Sequence, residues 1–306
     1  MVDGVIIDDF KQGITEFPSY PGAPLKNKRF YGGNLRGIIN KLDYIKSFGT
    51  SIIYLSPIFE AESNHKYDTA NYMKIDPMFG DEHDLIELIN KASKKGIGIV
   101  LDGVFNHTGS DSVYFNKNGK YKSVGAYQSK DSPYYSWYSF EKFPEKYSSW
   151  WGIDILPQVD ENSEDYQRFI FEKGGVLKKW LGFGIGGYRL DVADELPDFF
   201  LKKLRKSVKT SNPNAVIIGE VWEDASNKIS YGKRRRYFSD SELDSVMNYP
   251  FRTSIIDFVK RKIAAEEFAA RIMTIVENYP PPVLSCVMNS LSTHDTRRII
   301  SELSNI

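Results

Sequence analysis

The sequence predicts an α/β fold, specifically a TIM-type (β/α)8 barrel, and three observations carry that prediction. Strand-like segments alternate with segments of helical period along most of the chain, which implies parallel strands joined by crossover helices. No glycine-rich dinucleotide loop opens a helix, since FGIGG at 183–187 precedes a strand. Polar residues stand just beyond one strand after another: His107, Asp191, Glu220 and Asp295. A polar set drawn from the carboxyl ends of several strands favours a closed barrel over a doubly wound sheet.

An irregular opening rich in Pro and Gly (18–33) leads to Leu35, Ile38, Ile39, Leu42, Ile45 and Phe48 at helical spacing, a run that Gly49 ends. SIIYLSP (51–57) reads as a buried strand closed by Pro57, and the polar ESNHKYDTANY (62–72) as a loop. Leu85, Leu88, Ile89 and Ala92 mark one face of a helix stopped by Gly96, before a second strand, GIGIVLDGVFNH (96–107). From 108 to 160 the period is lost, and about a third of the residues between Tyr114 and Trp151 are aromatic. This stretch is read as an inserted, aromatic-rich subdomain over the strand ends. Trp137, Trp150 and Trp151 either pack within it or offer flat faces to sugar rings.

Alternation then resumes with a helix over 164–181, a strand over 187–192, a helix over 197–208 and a strand over 215–222. A short strand at 245–248, a helical face (Phe268, Ile272, Ile275, Val276, Tyr279) and a last strand, VLSCVMN (283–289), complete the pattern. The expected organisation is a first barrel part over 1–107, the inserted subdomain over 108–160 and a second barrel part over 161–306.

The balance of 40 Lys and Arg against 40 Asp and Glu argues against an electrostatic grip on nucleic acid or acidic lipid. KRRR at 233–236 is its one dense basic run and reads as a solvated face. Cys286, the single cysteine, has apolar neighbours and reads as a buried, inert thiol. No signal peptide and no run near the roughly 20 apolar residues of a membrane span is visible. A soluble protein of the cytoplasm is expected, with secretion left open.

The most informative stretch is GYRLDVADE (187–195), a strand with charges where apolar side chains belong. Arg189 and Asp191 share a face, and on a buried strand they must pair or cost several kcal/mol each. Alone, R-x-D is more often a structural ion pair than a site. Here it stands with DGVFNH (102–107), GEVW (219–222) and NSLSTHDT (289–296). Together and in this order the four segments resemble the α-amylase family of retaining glycoside hydrolases and transglycosylases (family 13 type). LPQVDE (156–161) and SNHKYDT (63–69) bring the chain nearest the neopullulanase, cyclomaltodextrinase and maltogenic amylase branch.

The resemblance implies that Asp191 is the nucleophile, Glu220 the general acid/base and Asp295 the transition-state stabiliser. It implies that His107, Arg189 and His294 hold sugar hydroxyls and the nucleophile, that Asp102 supports Arg189, and that Tyr67 stacks on the sugar at the cleavage point. Trp222, beside Glu220, is placed with the substrate-binding residues. The chemistry asks for the same types: two carboxyl groups about 5 Å apart, one ionised to attack and one protonated to release the leaving oxygen. Asp194 and Glu195 are expected to serve local structure. No cofactor is required, zinc has no HExxH-like spacing, and a structural calcium at Asn106 lacks a clear ligand set.

Two departures from the family pattern stand out. No strand like YQIFPDRF precedes Ile38, VIIDDF (5–10) being a poor substitute, and no eighth strand follows Arg298. The barrel is therefore expected to be incomplete, its missing strands and terminal β domains belonging to a longer chain or to a partner that closes it. Asn71 stands where many relatives carry an acid. The expected activity is cleavage of α-1,4-glucosidic bonds in maltooligosaccharides, cyclodextrins or pullulan through a glycosyl-enzyme intermediate. Transglycosylation and an inactive, sugar-binding relative are the alternatives.

Overall fold

The computed structural model describes residues 5–6 and 29–304, in two compact units, Met1–Gly187 and Tyr188–Ile306. Of VIIDDF, Val5–Ile6 forms β1 and pairs in parallel with β2 (Arg29–Phe30); residues 7–10 and the Pro/Gly-rich stretch up to 28 lie outside the described residues.

In the first unit the expected helix over 35–48 is two: α1 (Leu35–Asn40), capped by the Asn34 side chain on the Gly37 N–H, and α2 (Leu42–Ser47). β3 (Ile52–Leu55) follows, and the stretch expected as a loop over 62–72 is a loop only to residue 68, its last four residues opening β5 (Thr69–Ile75), which forms a bulged antiparallel pair with β4 (Phe59–Ala61). α3 (Glu82–Ser93) begins in a reciprocal capping box between Asp81 and Asp84 and buries Leu85, Leu88, Ile89 and Ala92 as their spacing requires. β6 (Gly98–Gly103) lies parallel to β3 over four residue pairs.

The inserted stretch carries only β7 (Phe140–Lys142) and β8 (Lys146–Tyr147), antiparallel, and two 3-10 turns. It is organised by ring packing. Trp137 is 2% exposed among Tyr114, Tyr134, Tyr166 and Phe169, so it serves packing and offers no face to a ligand. The predicted helix over 164–181 breaks at Gly174–Gly175 into α4 (Glu164–Phe171) and α5 (Val176–Gly182). Gly174 takes φ +83°, a conformation that costs a residue with a Cβ.

The second unit takes up the chain within β9 (Gly187–Leu190), which is buried throughout; α6 (Asp198–Ser211) and β10 (Val216–Gly219) follow. An unforeseen hairpin, β11 (Ile229–Ser230) with β12 (Lys233–Arg234), precedes β13 (Ser245–Val246), which is parallel to β10, giving the order β9-β10-β13. α7 (Tyr249–Val259), also unforeseen, is capped by the Asn248 side chain on the Phe251 N–H, with Pro250 in its first turn. α8 (Ala265–Asn278) packs against it.

The last predicted strand is corrected. Pro281 and Pro282 start a short helix, α9 (Pro281–Leu284), because their fixed φ suits a first turn and they cannot donate to a ladder. Only Met288 makes a bridge, to Met247, and α10 (Ile299–Leu303) ends the described chain. Cys286 is consequently exposed, not buried as expected, its Sγ 3.0 Å from the Pro282 carbonyl.

Candidate active site

Arg189 is fully buried on β9, and its guanidinium bridges two carboxylates: Nη1 lies 2.8 Å from Asp191 Oδ1 and Nη2 2.8 Å from Glu220 Oε2. Its Nε points at Met247 Sδ, 3.5 Å away. The pairing that the shared strand face demanded is therefore present and extends to the acid of the next strand. Glu220 follows β10, where its N–H donates to the Leu190 carbonyl at 3.0 Å. Gly219 leaves room for the side chains packed on this strand end: a Cβ there would sit 2.5 Å from Leu243 Cδ1 and 3.2 Å from Ala193 Cβ. The Glu220 side chain also accepts from the Val192 N–H at 2.8 Å and from the Trp222 Nε1–H at 3.0 Å.

Val192 has φ +39°, a strained value for a β-branched residue that costs on the order of 1–3 kcal/mol. It turns the chain sharply after Asp191 and aims its own N–H at Glu220.

Asp295 and His294 stand on the 289–298 loop, Nε2 to Oδ2 3.1 Å, each side chain about a third exposed. Arg252 holds that loop through the Leu291 and Arg297 carbonyls, at 3.0 and 3.2 Å. Tyr249 joins these groups. Its ring lies flat on Trp222, centroids 4.0 Å apart and planes 7° apart. Burial pushes its hydroxyl up to about 12; a hydrogen bond to Thr293 opposes this, and the charges of Glu220 and Asp295 add to it. One phenol thus stands within electrostatic range of both acids and of Arg189. Sequence reading missed Tyr249: Asn248 and Pro250 carry a weak helix-start signal, but the residues after them do not read as a helix.

In the first unit Asp102, 2% exposed at the end of β6, accepts hydrogen bonds from the hydroxyls of Tyr54 and, at 2.9 Å, of Tyr67. The Tyr67 N–H donates to His65 Nδ1 at 3.1 Å, and the two rings stack. His107 is buried, with Nδ1 3.2 Å from the Asn106 amide and its ring stacked on Trp150, which in turn stacks on Trp151. Trp151 is 79% exposed at φ +51°. Tyr67, Asp102 and His107 therefore belong to the first unit, and Arg189, Asp191, Glu220, Trp222, His294 and Asp295 to the second.

Burial lowers the pKa of His107 to about 4, against a small opposing effect of the Tyr67 backbone. The imidazole is neutral at physiological pH and can donate or accept, but carries no charge. Because the folded pKa lies below that of the unfolded chain, this histidine stabilises the fold fully above pH ~6.5, and the contribution is lost as pH falls toward 4. Replacing His107 with Asn should therefore flatten the acid limb: urea melts at pH 7 and pH 5 should differ by about 2 kcal/mol less in the variant than in the parent.

Among the described residues the one cluster with the donors of a cation site is Asp81, His83 and Asp84, and its carboxylates already form the α3 capping box. The Asn106 amide is engaged with His107 and, at 3.4 Å, with Gln158.

Over residues 8–306 the chain matches the family described as Alpha amylase, catalytic domain. It is 42% identical over 313 residues to an amylopullulanase of Thermoanaerobacterium saccharolyticum, covering 93% of this chain and 24% of that protein. It is 37% identical over 277 residues to a cyclomaltodextrinase of Thermoanaerobacter pseudethanolicus, covering 89% of this chain and 46% of that one. Among solved structures, the cyclic alpha-maltosyl-(1-->6)-maltose hydrolase from Arthrobacter globiformis superposes with a TM-score of 0.81 at 28% identity, over 99% of this chain and 68% of that chain. This chain thus spans just under a quarter of the first of those curated relatives and just under half of the second. The catalytic domain of the matched family and its solved relatives are (β/α)8 barrels, and the parallel strands described above fit that class.

Proposed function

This chain belongs to the α-amylase family of catalytic domains, and from that premise we propose that it carries the catalytic machinery of a retaining α-glucan hydrolase. The observation that carries the reading is the buried Arg189 guanidinium joining the carboxylates of Asp191 and Glu220. In this reading Asp191 attacks the anomeric carbon while Glu220 gives its proton to the departing glycosidic oxygen. Glu220 then takes a proton from water, and that water opens the glycosyl ester on Asp191, restoring the α configuration. Asp295 stabilises the positive charge that develops on the sugar ring.

Trp222 is 46% exposed, and its stacked partner Tyr249 fixes the indole plane. The open indole face supplies a platform for a glucose ring near the acid. Tyr67 plays the equivalent part in the first unit, its hydroxyl held by Asp102. The relatives named amylopullulanase and cyclomaltodextrinase support α-1,4-linked glucans, pullulan and cyclodextrins as the substrate class.

The test is incubation with maltotriose, β-cyclodextrin and pullulan, with the anomer of the released sugar followed by NMR. Initial release of the α-anomer is expected. Products longer than the substrate would shift the reading to transglycosylation, and initial β-anomer would overturn retention. No turnover of any of the three by the folded whole protein would support the non-catalytic, sugar-binding alternative.

A further inference from the structure

The basic run at 233–236 is not the uniformly solvated face that its composition implies. Arg234 and Arg236 are exposed, whereas Arg235 between them is 6% exposed and turned inward. Its guanidinium makes three short bonds. Nε donates to Asp198 Oδ1 at 2.7 Å, Nη1 to the Asp194 carbonyl at 2.7 Å and Nη2 to the Leu196 carbonyl at 2.5 Å. The group also lies 4.8 Å over the Tyr237 ring.

The same arm grips Asp194 from three further positions. The Tyr237 hydroxyl donates to Asp194 Oδ1 at 2.5 Å, Lys228 Nζ lies 3.1 Å from Oδ2, and the Ser230 hydroxyl donates to the Asp194 carbonyl at 3.1 Å. Every one of these bonds reaches the segment that begins three residues after Asp191. That segment follows directly on the strained Val192 turn, which the chain itself secures through the Glu195 N–H on the Val192 carbonyl at 2.8 Å.

We infer that Arg235 is a positioning residue for the proposed nucleophile: by clamping the carbonyls of Asp194 and Leu196 it holds the turn that fixes the Asp191 carboxylate. The inference rests on the reading of Asp191 given above. The physical reason for arginine is its planar fork. Two carbonyls and a carboxylate, set in fixed directions beside fully buried Leu196, need several donors from one rigid group. A lysine ammonium keeps the charge and the stem but not that geometry. Without the fork, the carbonyl of buried Leu196 loses the Arg235 donor, that of Asp194 keeps only the Ser230 hydroxyl, and the turn is free to relax away from the left-handed Val192 conformation. Displacement of a reacting group by about 1 Å is enough to cost on the order of a hundredfold in rate.

The experiment measures kcat and KM of the whole protein on α-maltosyl fluoride, whose fluoride leaves without a proton from Glu220, so that kcat/KM, set by the first irreversible step, reports attack by Asp191. R235K should lower kcat/KM at least tenfold and R235A about a hundredfold, and added guanidinium ion should restore part of the R235A rate. R234A and R236A should stay within twofold of the parent. Circular dichroism establishes folding, and if R235A does not fold, R235K decides by the same threshold. A folded R235K with parental kcat/KM, altered only in its melting temperature, would overturn the inference and leave a structural arginine. Asp191→Asn, run alongside, separates the two readings: parental turnover by D191N removes the nucleophile assignment itself. An inactive D191N beside an unimpaired R235K removes only the role of Arg235.

Discussion

Asp191→Asn and Glu220→Gln should each lower turnover of maltotriose by roughly 10³–10⁵-fold while leaving the fold intact. Both replacements are isosteric, and the Arg189 bridge offers a test that they are not merely structural. In D191N the amide oxygen that replaces a carboxylate oxygen can still accept from Arg189 Nη1, so the loss is a loss of nucleophile. In E220Q the amide can keep its oxygen toward Val192 N–H and Arg189 Nη2, but its NH2 then faces the Trp222 Nε1–H, and that bond is lost. A modest rise in KM should therefore accompany E220Q and not D191N. Azide assigns the roles independently. With Glu220→Ala it should intercept the glycosyl enzyme and yield the α-glycosyl azide, whereas with Asp191→Gly it should attack directly and yield the β-azide. Parental rates in either isosteric variant, or the azide anomers exchanged, would refute the assignment.

How much of this was legible in the sequence differs by element, for physical reasons. The strands at 52–55, 98–103, 187–190 and 216–219 announce themselves because buried parallel strands are short apolar runs between helical periods. The interruption at Lys41 was not legible, because the apolar period runs through it, whereas the Gly174–Gly175 pair is a helix-breaking signal that the apolar spacing on either side of it overrode in the reading. α7 was missed because YPFRTSIIDFV is rich in aromatic and β-branched residues, and its cap and packing override a poor propensity. VLSCVMN failed in the opposite direction: strand-like residues follow two prolines that begin a helical turn. At the site, Arg189 and Asp191 stand out because charge on a buried strand is anomalous, whereas Glu220 and Asp295 lie beyond strand ends and were singled out by the resemblance of GEVW and NSLSTHDT to the family's segments. Tyr249 and Arg235 are not visible, because a tyrosine after a strand and an arginine in a basic run look ordinary until burial and partners are known. Distinguishing the inward Arg235 from its exposed neighbours needed the hairpin of β11 and β12, which no periodicity in that stretch reveals.

Loss of the Lys66 ammonium should destabilise the first unit by about 3–5 kcal/mol, lowering its melting temperature by roughly 10 °C. Lys66 is 1% exposed and Asp76 fully buried, with Nζ 2.7 Å from Asp76 Oδ2 and 2.9 Å from the Ala61 carbonyl. Asp76 also accepts from the N–H groups of Ala61 and Met78, and the ammonium lies 5.1 Å from the Phe30 ring. Removing the cation leaves a carboxylate in the interior without its countercharge, a larger loss than the net worth of the pair. Backbone conformation sharpens the prediction. Lys66 holds φ +66°, where a side chain costs about 1–2 kcal/mol and glycine almost nothing. Lys66→Gly should therefore be about 1 kcal/mol less damaging than Lys66→Ala, although it removes more side chain. Lys66→Met combined with Asp76→Leu should recover much of the stability lost in Lys66→Met alone, because neither charge is then stranded. Urea melts of the four variants decide the matter, and a single Lys66→Met variant as stable as the parent would show that the ammonium contributes nothing net. The neighbouring Tyr67 gives the pair a functional readout, since its hydroxyl meets Asp102 only while the 62–68 loop keeps its course. In a folded Lys66→Gly variant KM for maltotriose should rise while kcat changes little, the signature of a loosened sugar contact and not of altered chemistry.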